Sequence, residues 1–311
     1  MRFVVYGTGA VGGVTAALLA RAGHDVIAIA RGNHHAAIAN SGLRVETPDE
    51  TIVVKLPVVD HPARIAWRAG DVVLLAVKTQ DVAVCVRELA AFDPPTVCLT
   101  NGVEAERIAA RQLSQVHGAC IYMPATHLEP GSVQAWSWPL AGAIDVGRYP
   151  HGDSDLVLAA SGLASVSQPD IMRWKRGKLL TNLANAAEAL TGPAARQSSI
   201  AEQARAEAIA CFEAAGLSRT TETEDASRRT GIQSRPIAGA RRSGGSTWQS
   251  LARGHALEVD YLNGEIALLG RQWGIPTPIN LRLQRLANAA ARAGARPGSM
   301  SLAELEAALR S

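Results

Sequence analysis

The chain has 311 residues, which at the usual ~150 per domain predicts two domains, each large enough for its own core. Its 31 Lys and Arg against 28 Asp and Glu leave a formal charge of +3, spread along the chain without the basic stripe of a nucleic-acid surface. No apolar run reaches the ~18 residues of a membrane span, and Cys85, Cys98, Cys120 and Cys211 form no CxxC pair, which argues against a bound metal or a disulfide framework.

In chain order, residues 2–6 are a short apolar strand, followed by a Gly-rich turn and an Ala/Leu-rich helix ending near Gly23. Further strands are expected at 25–30, 71–77, 96–100 and 119–123, with helices at 81–91 and 104–113 between them. Alternating strands and helices predict an α/β fold, a doubly wound parallel sheet of Rossmann type. Residues 43–58 and 132–146 read as β-rich extensions broken by Pro and Gly.

After Pro169 the pattern changes to apolar spacing of helical period at 171–190, 200–215, 258–273, 280–293 and 302–310. Ser301 to Glu304 and Ser246 to Gln249 both fit a capping box. Residues 218–245, rich in Arg, Thr, Ser and Gly, are expected to be a mobile connection. The division is therefore a dinucleotide-binding domain at 1–168 and an all-helical domain at 169–311.

Gly7-Thr8-Gly9-Ala10-Val11-Gly12 is a GxGxxG run that follows a strand and opens a helix, the context a pyrophosphate-binding loop requires. Its glycines allow the tight turn, the approach of the pyrophosphate and close helix packing, and the helix start presents free N–H groups. The second strand ends in Ile29-Ala30-Arg31, with no acid to accept from a ribose 2′-hydroxyl. Arg31, with Lys78 as a second cation, instead favours the 2′-phosphate of NADP(H). Asn101-Gly102 follows the strand at 96–100 and would face the nicotinamide crevice, although Asn-Gly is also an ordinary turn.

Only four of the 31 cationic side chains are lysines (Lys55, Lys78, Lys175, Lys178). A lysine kept in so Arg-rich a chain can be there for its compact, titratable ammonium. Lys178, Asn182 and Asn185 fall within about 60° of one another on a continuous helix. They form either a buried polar network or a ligand-facing wall. Glu258 sits among Leu257, Val259, Tyr261 and Leu262, unlike a solvated charge.

These blocks together resemble the ketopantoate reductase (2-dehydropantoate 2-reductase) family. They are GTGAVGG, Arg31, VKTQD around Lys78, TNGVE around Asn101, KLLTN from Lys178, STWQSLARGHALEVDYLNGE from Ser246, and GIPTPIN ending at Asn280. The resemblance covers nearly the whole chain. It implies a helical C-terminal domain of the 6-phosphogluconate-dehydrogenase type and NADPH-dependent reduction of a 2-keto acid, 2-dehydropantoate to pantoate in pantothenate biosynthesis. Lys178 would be the general acid, with Asn101 between nicotinamide and substrate. Asn182, Asn185, Ser246 and Glu258 would bind the substrate. A second family Asn, eight residues after the lysine, is replaced here by Ala186.

Another branched or hydroxylated 2-keto acid, or a non-catalytic NADP(H) sensor, are the alternatives; a sensor has no need of Lys178 and Glu258. The expected partner is a small 2-keto acid, with homodimerisation left open and neither nucleic acid nor membrane involved. Met1-Arg2-Phe3 leads directly into a strand rather than a signal peptide, so a cytoplasmic location is expected. Finally, Ser246 and Glu258 would lie about 18 Å and 120° apart on one straight helix. For both to reach one small molecule, an interruption is required between Leu251 and Ala256, with Gly254 the natural breaking point.

Overall fold

The computed structural model describes residues 1–310. Strand β1 (Arg2–Tyr6) is buried on both faces, as a central parallel strand must be. Phe3 and Val5 pack with Val14, Leu18 and Leu19 of α1 (Ala10–Arg21). Val4 and Tyr6 point the other way. Next come β2 (Asp25–Ile29), α2 (Gly32–Ser41), β3 (Leu43–Glu46), β4 (Thr51–Val54), β5 (Val58–Val59) and β6 (Asp71–Leu75). Helix α3 (Val82–Leu89) packs Val82, Cys85, Val86 and Leu89 against the second face of β1. Then follow β7 (Thr96–Cys98), α4 (Ala105–Ala109), β8 (Val116–Tyr122), β9 (Ala125–Glu129), β10 (Ser132–Ala135), β11 (Ser137–Pro139), β12 (Gly142–Arg148) and β13 (Leu163–Ala164).

Among the described residues, the main sheet has the order β13-β12-β8-β7-β6-β1-β2-β5. From β5 to β8 the strands are parallel, with the winding direction reversing between β1 and β6. Such a reversal opens a crevice at the carboxyl ends of the strands. The start of β1 is tied to β6 by a buried two-point pair, Arg2 donating to Asp71 at 2.6 and 2.8 Å. The expected β-rich extensions are brought together in a second sheet of order β4-β3-β10-β9, in which β3 and β10 run parallel.

Helices follow: α5 (Ile171–Asn182), α6 (Asn185–Thr191), α7 (Ser199–Ala214), α8 (Glu222–Arg228), then β14 (Ile232–Ser234), α9 (Ser246–Ala252), α10 (Asn263–Trp273), α11 (Pro278–Arg292) and α12 (Leu302–Arg310). Among the described residues no helix is long and apolar enough to cross a membrane. The Ser301 capping box forms, with the Ser301 N–H donating to Glu304 at 2.7 Å and the Glu304 N–H to the Ser301 hydroxyl at 3.2 Å.

Two compact units result, Met1–Trp174 with Thr223–Arg242, and Lys175–Glu222 with Ser243–Ser311. A single cut at 168/169 misses the return of residues 223–242 to the first unit. Nor is that stretch a mobile connection: α8 forms there, and β14 pairs antiparallel with β11. Arg228 donates twice to the fully buried Asp145 at 2.6 Å, and Tyr122 donates to Asp225 at 2.7 Å. The Arg-rich composition that suggested solvent exposure supplies partners for carboxylates that could not be buried alone.

Candidate active site

In the first unit, Gly7 has φ +95°, and a Cβ there would lie 2.9 Å from the Ala76 carbonyl oxygen. At Gly12 a Cβ would come within 2.0 Å of the Gly7 carbonyl oxygen, so the loop closes only without side chains at these points. Gly9, in extended conformation, caps α1 without a side-chain hydrogen bond, and Ala10 and Val11 begin the helix. The exposed N–H groups of that first turn are therefore available to an anion. The Thr8 hydroxyl is buried and has no hydrogen-bond partner among the described residues. Together these features fit a dinucleotide pyrophosphate.

The sequence pattern did not single out His34. Its Nδ1 accepts from the Gly131 N–H at 2.8 Å, so Nε2 carries the proton donated to the Thr8 carbonyl at 2.7 Å. This neutral ring ties the glycine loop to the β9–β10 turn. Burial lowers its pKa, and the bond to the Thr8 carbonyl only partly opposes that.

Beside the loop lies a cleft of about 280 Å³ lined by Tyr6, Thr8, Ala30, Arg31, Val77 and Cys85, among others. Arg31 stands at its edge, where α2 begins. The guanidinium donates to the Tyr6 hydroxyl at 2.7 Å and to both Glu88 carboxylate oxygens at 3.0 and 3.1 Å. It also lies 5.9 Å from the Tyr6 ring centroid. Burial pushes the Tyr6 phenol far above its ordinary range and the Cys85 thiol up to about 11, so both stay neutral. Lys78 follows the end of β6 and is half-buried; Thr79 beside it donates to the Asn101 carbonyl at 3.4 Å. Lys78 and Asn101 thus stand at the adjacent carboxyl ends of β6 and β7.

In the second unit, Lys178 and Asn182 share one face of α5, one turn apart, with Lys178 half-buried and Lys175 almost fully buried at 3 % exposure. Asn182 is 9 % exposed, and its Nδ2 has no hydrogen-bond partner among the described residues. Asn185 does not continue that stripe, because the expected helix 171–190 is interrupted between α5 and α6. Asn263, fully buried at the start of α10, causes the interruption to persist: its Nδ2 donates to the Leu183 carbonyl and to Asn280, both at 3.0 Å. Asn280 in turn donates to the Ala204 carbonyl at 2.9 Å and to Glu207 at 2.7 Å. Asn185 is turned into a different cluster, where its Oδ1 accepts from Arg196 at 2.7 Å. Arg196 also pairs with the buried Glu188 at 2.6 Å, and Glu188 accepts the Gly245 N–H at 3.1 Å.

That last bond sets the start of α9. The expected capping box at Ser246 does not form: Gly245 is the cap, Ser246 is the first helical residue, and the cap residue itself contributes no side-chain hydrogen bond. The interruption required between Leu251 and Ala256 is present, with α9 ending at Ala252 and Gly254 at φ +65°. Glu258 then precedes a single 3₁₀ turn, Val259–Tyr261, rather than opening the long helix expected at 258–273. Hydrophobic period does not mark Asn263 or Glu188, because both lie in apolar stretches and bond to Leu183 and Gly245, 80 and 57 residues away.

The ketopantoate reductase PanE/ApbA family model matches residues 3–151, and its C-terminal counterpart matches residues 170–291. A 2-dehydropantoate 2-reductase of Caulobacter vibrioides is 32% identical over 305 residues, covering 92% of this chain and 98% of the relative. One from Archaeoglobus fulgidus is 29% identical over 296 residues, covering 92% and 96%. The crystal structure of a PanE/ApbA family ketopantoate reductase from Ralstonia eutropha superimposes with a TM-score of 0.78 at 30% identity, covering 94% of this chain and 99% of that one. With both family models matched in order along one chain, and a Rossmann-type unit carrying the glycine loop, this protein belongs to the ketopantoate reductase family of oxidoreductases.

Proposed function

We propose that the protein reduces a 2-keto acid with NADPH, and that the acid is 2-dehydropantoate, giving pantoate. The observation that carries this reading is the placement of Asn182 one helical turn from Lys178, with a buried amide nitrogen that has no hydrogen-bond partner among the described residues. A buried donor without an acceptor costs about 1–3 kcal/mol, and a substrate oxygen would relieve it.

Gly7 to Gly12 would hold the cofactor pyrophosphate, Arg31 and Lys78 its 2′-phosphate, and Asn101 would stand at the nicotinamide. Once bound there, the cofactor would supply the hydride that the keto carbon needs. Lys178 then stabilises the negative charge that gathers on the keto oxygen and gives it a proton, completing the alcohol. Asn182 orients the substrate by hydrogen bonding, Ser246 binds its carboxylate and Glu258 its hydroxyl. The Ser246 hydroxyl is well suited to this, since it is not used to cap α9.

The test is NADPH absorbance loss across a panel of 2-keto acids. The reading expects 2-dehydropantoate to give the highest kcat/KM, and NADPH to exceed NADH by about tenfold, or ~1.4 kcal/mol. A panel on which no 2-keto acid is reduced would remove the reading. A second substrate, another branched or hydroxylated 2-keto acid, is favoured by one observation: Asn185, the nearest candidate for the family's second Asn, has its oxygen engaged by Arg196.

A further inference from the structure

Glu88 plays no part in the reading of the nucleotide cleft given so far, yet it touches the residue on which cofactor choice rests. It projects from α3, with its side chain 20% exposed, against Arg31 at 56%. Its carboxylate meets three groups. Arg31 donates to both oxygens, at 3.0 and 3.1 Å, the Tyr6 hydroxyl donates to Oε2, and His61 Nε2 lies 3.8 Å from Oε1.

The atom through which Arg31 makes these contacts matters. Each of its hydrogen bonds among the described residues, to Tyr6 and to both Glu88 oxygens, runs through Nη2. A guanidinium offers an oxyanion two planar, two-point edges, Nε with Nη2 and Nη1 with Nη2. Nη2 belongs to both. While Glu88 and Tyr6 hold it, a phosphate reaching Arg31 can take only a single-point contact through Nη1 or Nε. The same phosphate would also stand close to the Glu88 charge, in a partly enclosed cleft where like charges repel more strongly than in water. A ribose 2′-hydroxyl suffers neither penalty, because it is uncharged and can donate to a carboxylate.

We propose that Glu88 sets the cofactor discrimination of this enzyme: it competes with a 2′-phosphate for Arg31 and thereby holds the preference for NADPH over NADH below what Arg31 alone would confer. The proposal rests on the reading in which Arg31 meets the 2′-phosphate. When Arg31 turns to the phosphate, Glu88 keeps the Tyr6 hydroxyl and His61 as partners, so the exchange leaves no isolated carboxylate.

The experiment is calorimetric titration with adenosine 2′,5′-bisphosphate and with 5′-AMP, alongside kcat/KM for NADPH and NADH. It uses the wild type, Glu88→Gln, Glu88→Ala, Arg31→Ala and the Glu88→Gln/Arg31→Ala double variant. Glu88→Gln is expected to tighten the bisphosphate about fivefold, a size typical of a partly exposed ion pair. The 5′-AMP affinity should stay within about twofold, since that ligand brings no charge to Arg31. The NADPH/NADH ratio should rise by the same factor, Glu88→Ala should act in the same direction, and the gain should vanish in the double variant. An unchanged or smaller bisphosphate/AMP ratio in both Glu88 variants, with Arg31→Ala still losing bisphosphate affinity, would overturn the role of Glu88 and leave the NADPH reading standing. If Arg31→Ala leaves bisphosphate affinity untouched, the NADPH reading fails and the role of Glu88 falls with it.

Discussion

In the first unit the nucleotide cleft is shaped by backbone within one short run, Gly7 to Gly12, where missing side chains let the chain turn and α1 approach. In the second unit the proposed substrate residues come from three separate segments, Lys178 and Asn182 from α5, Ser246 from α9 and Glu258 from the turn before α10, with two chain interruptions between them. The break after Asn182 is secured by Asn263, far along the chain, and the start of α9 by Glu188 through the Gly245 N–H. The glycine loop is thus fixed by local sterics, and the proposed substrate residues by distant side-chain hydrogen bonds. A local site should fail abruptly when a single atom is added. A distributed site should loosen in steps, each tied to one long-range bond.

The sharpest test adds one methyl group to the glycine loop. Gly12→Ala would set a Cβ 2.0 Å from the Gly7 carbonyl oxygen and 2.8 Å from the Ala76 Cβ. The expected cost is about 3 kcal/mol of stability or more, with nucleotide affinity falling ~10²-fold by calorimetry. Gly9→Ala is the contrast: its Cβ would meet only His127, at 3.8 Å, so the melting temperature should hardly change.

In the helical unit, Lys178→Ala is expected to lower kcat by ~10²-fold with nucleotide Kd within about twofold of wild type. Lys175 is buried where Lys178 is half-buried, so Lys175→Ala should register first as lost thermal stability. If Lys175→Ala instead abolishes turnover in a protein that melts normally, the roles of the two lysines are exchanged.

Asn263→Ala should cost about 2 kcal/mol, since it strands the buried Leu183 carbonyl and the Asn280 amide oxygen without their donor. In a chain of this size that is a fall of about 5 °C in Tm. KM should rise more than kcat falls, because Asn182 loses its fixed position rather than its chemistry. A KM equal to wild type in the destabilised variant would separate the break at Leu183 from substrate binding.

The smallest effect concerns His34. Its pKa in the folded protein lies below the ordinary 6.5, so the unfolded chain takes up more protons in that range. Stability from this source is complete above about pH 6.5 and declines as the pH falls towards the folded-state value. The buried His117 acts in the same direction. His34→Gln should reduce the acid-side decline in Tm by about 2 °C while leaving the His117 share. A wild-type Tm that stays flat from pH 7 to 5 would contradict the neutral, Nε2-protonated ring.

Legibility in the sequence followed the range of the interactions. The glycine loop, the strands around it and the interruption near Gly254 were readable because each rests on local steric rules or on helix geometry. Arg31 was readable as a position but not as a state, since nothing near it in sequence announces Glu88 and Tyr6. The stretch 218–245 was misread for a related reason. Polar composition suggests solvent, whereas Arg228 answers to Asp145, 83 residues away.

By itself the sequence determined the α/β unit followed by helices, the nucleotide loop, and the lysine and asparagine that face one way on α5. Periodicity and steric exclusion act within a turn or two of chain, and those features need nothing more. Only the tertiary structure decided that the long helix breaks at Leu183, that Ser246 starts α9 uncapped by its own hydroxyl, and that Arg31 is shared with an acid. Each of these is the outcome of a competition for hydrogen bonds between groups distant in sequence. Such competitions are settled by burial, which makes an unmade bond costly and which the chain acquires only on folding.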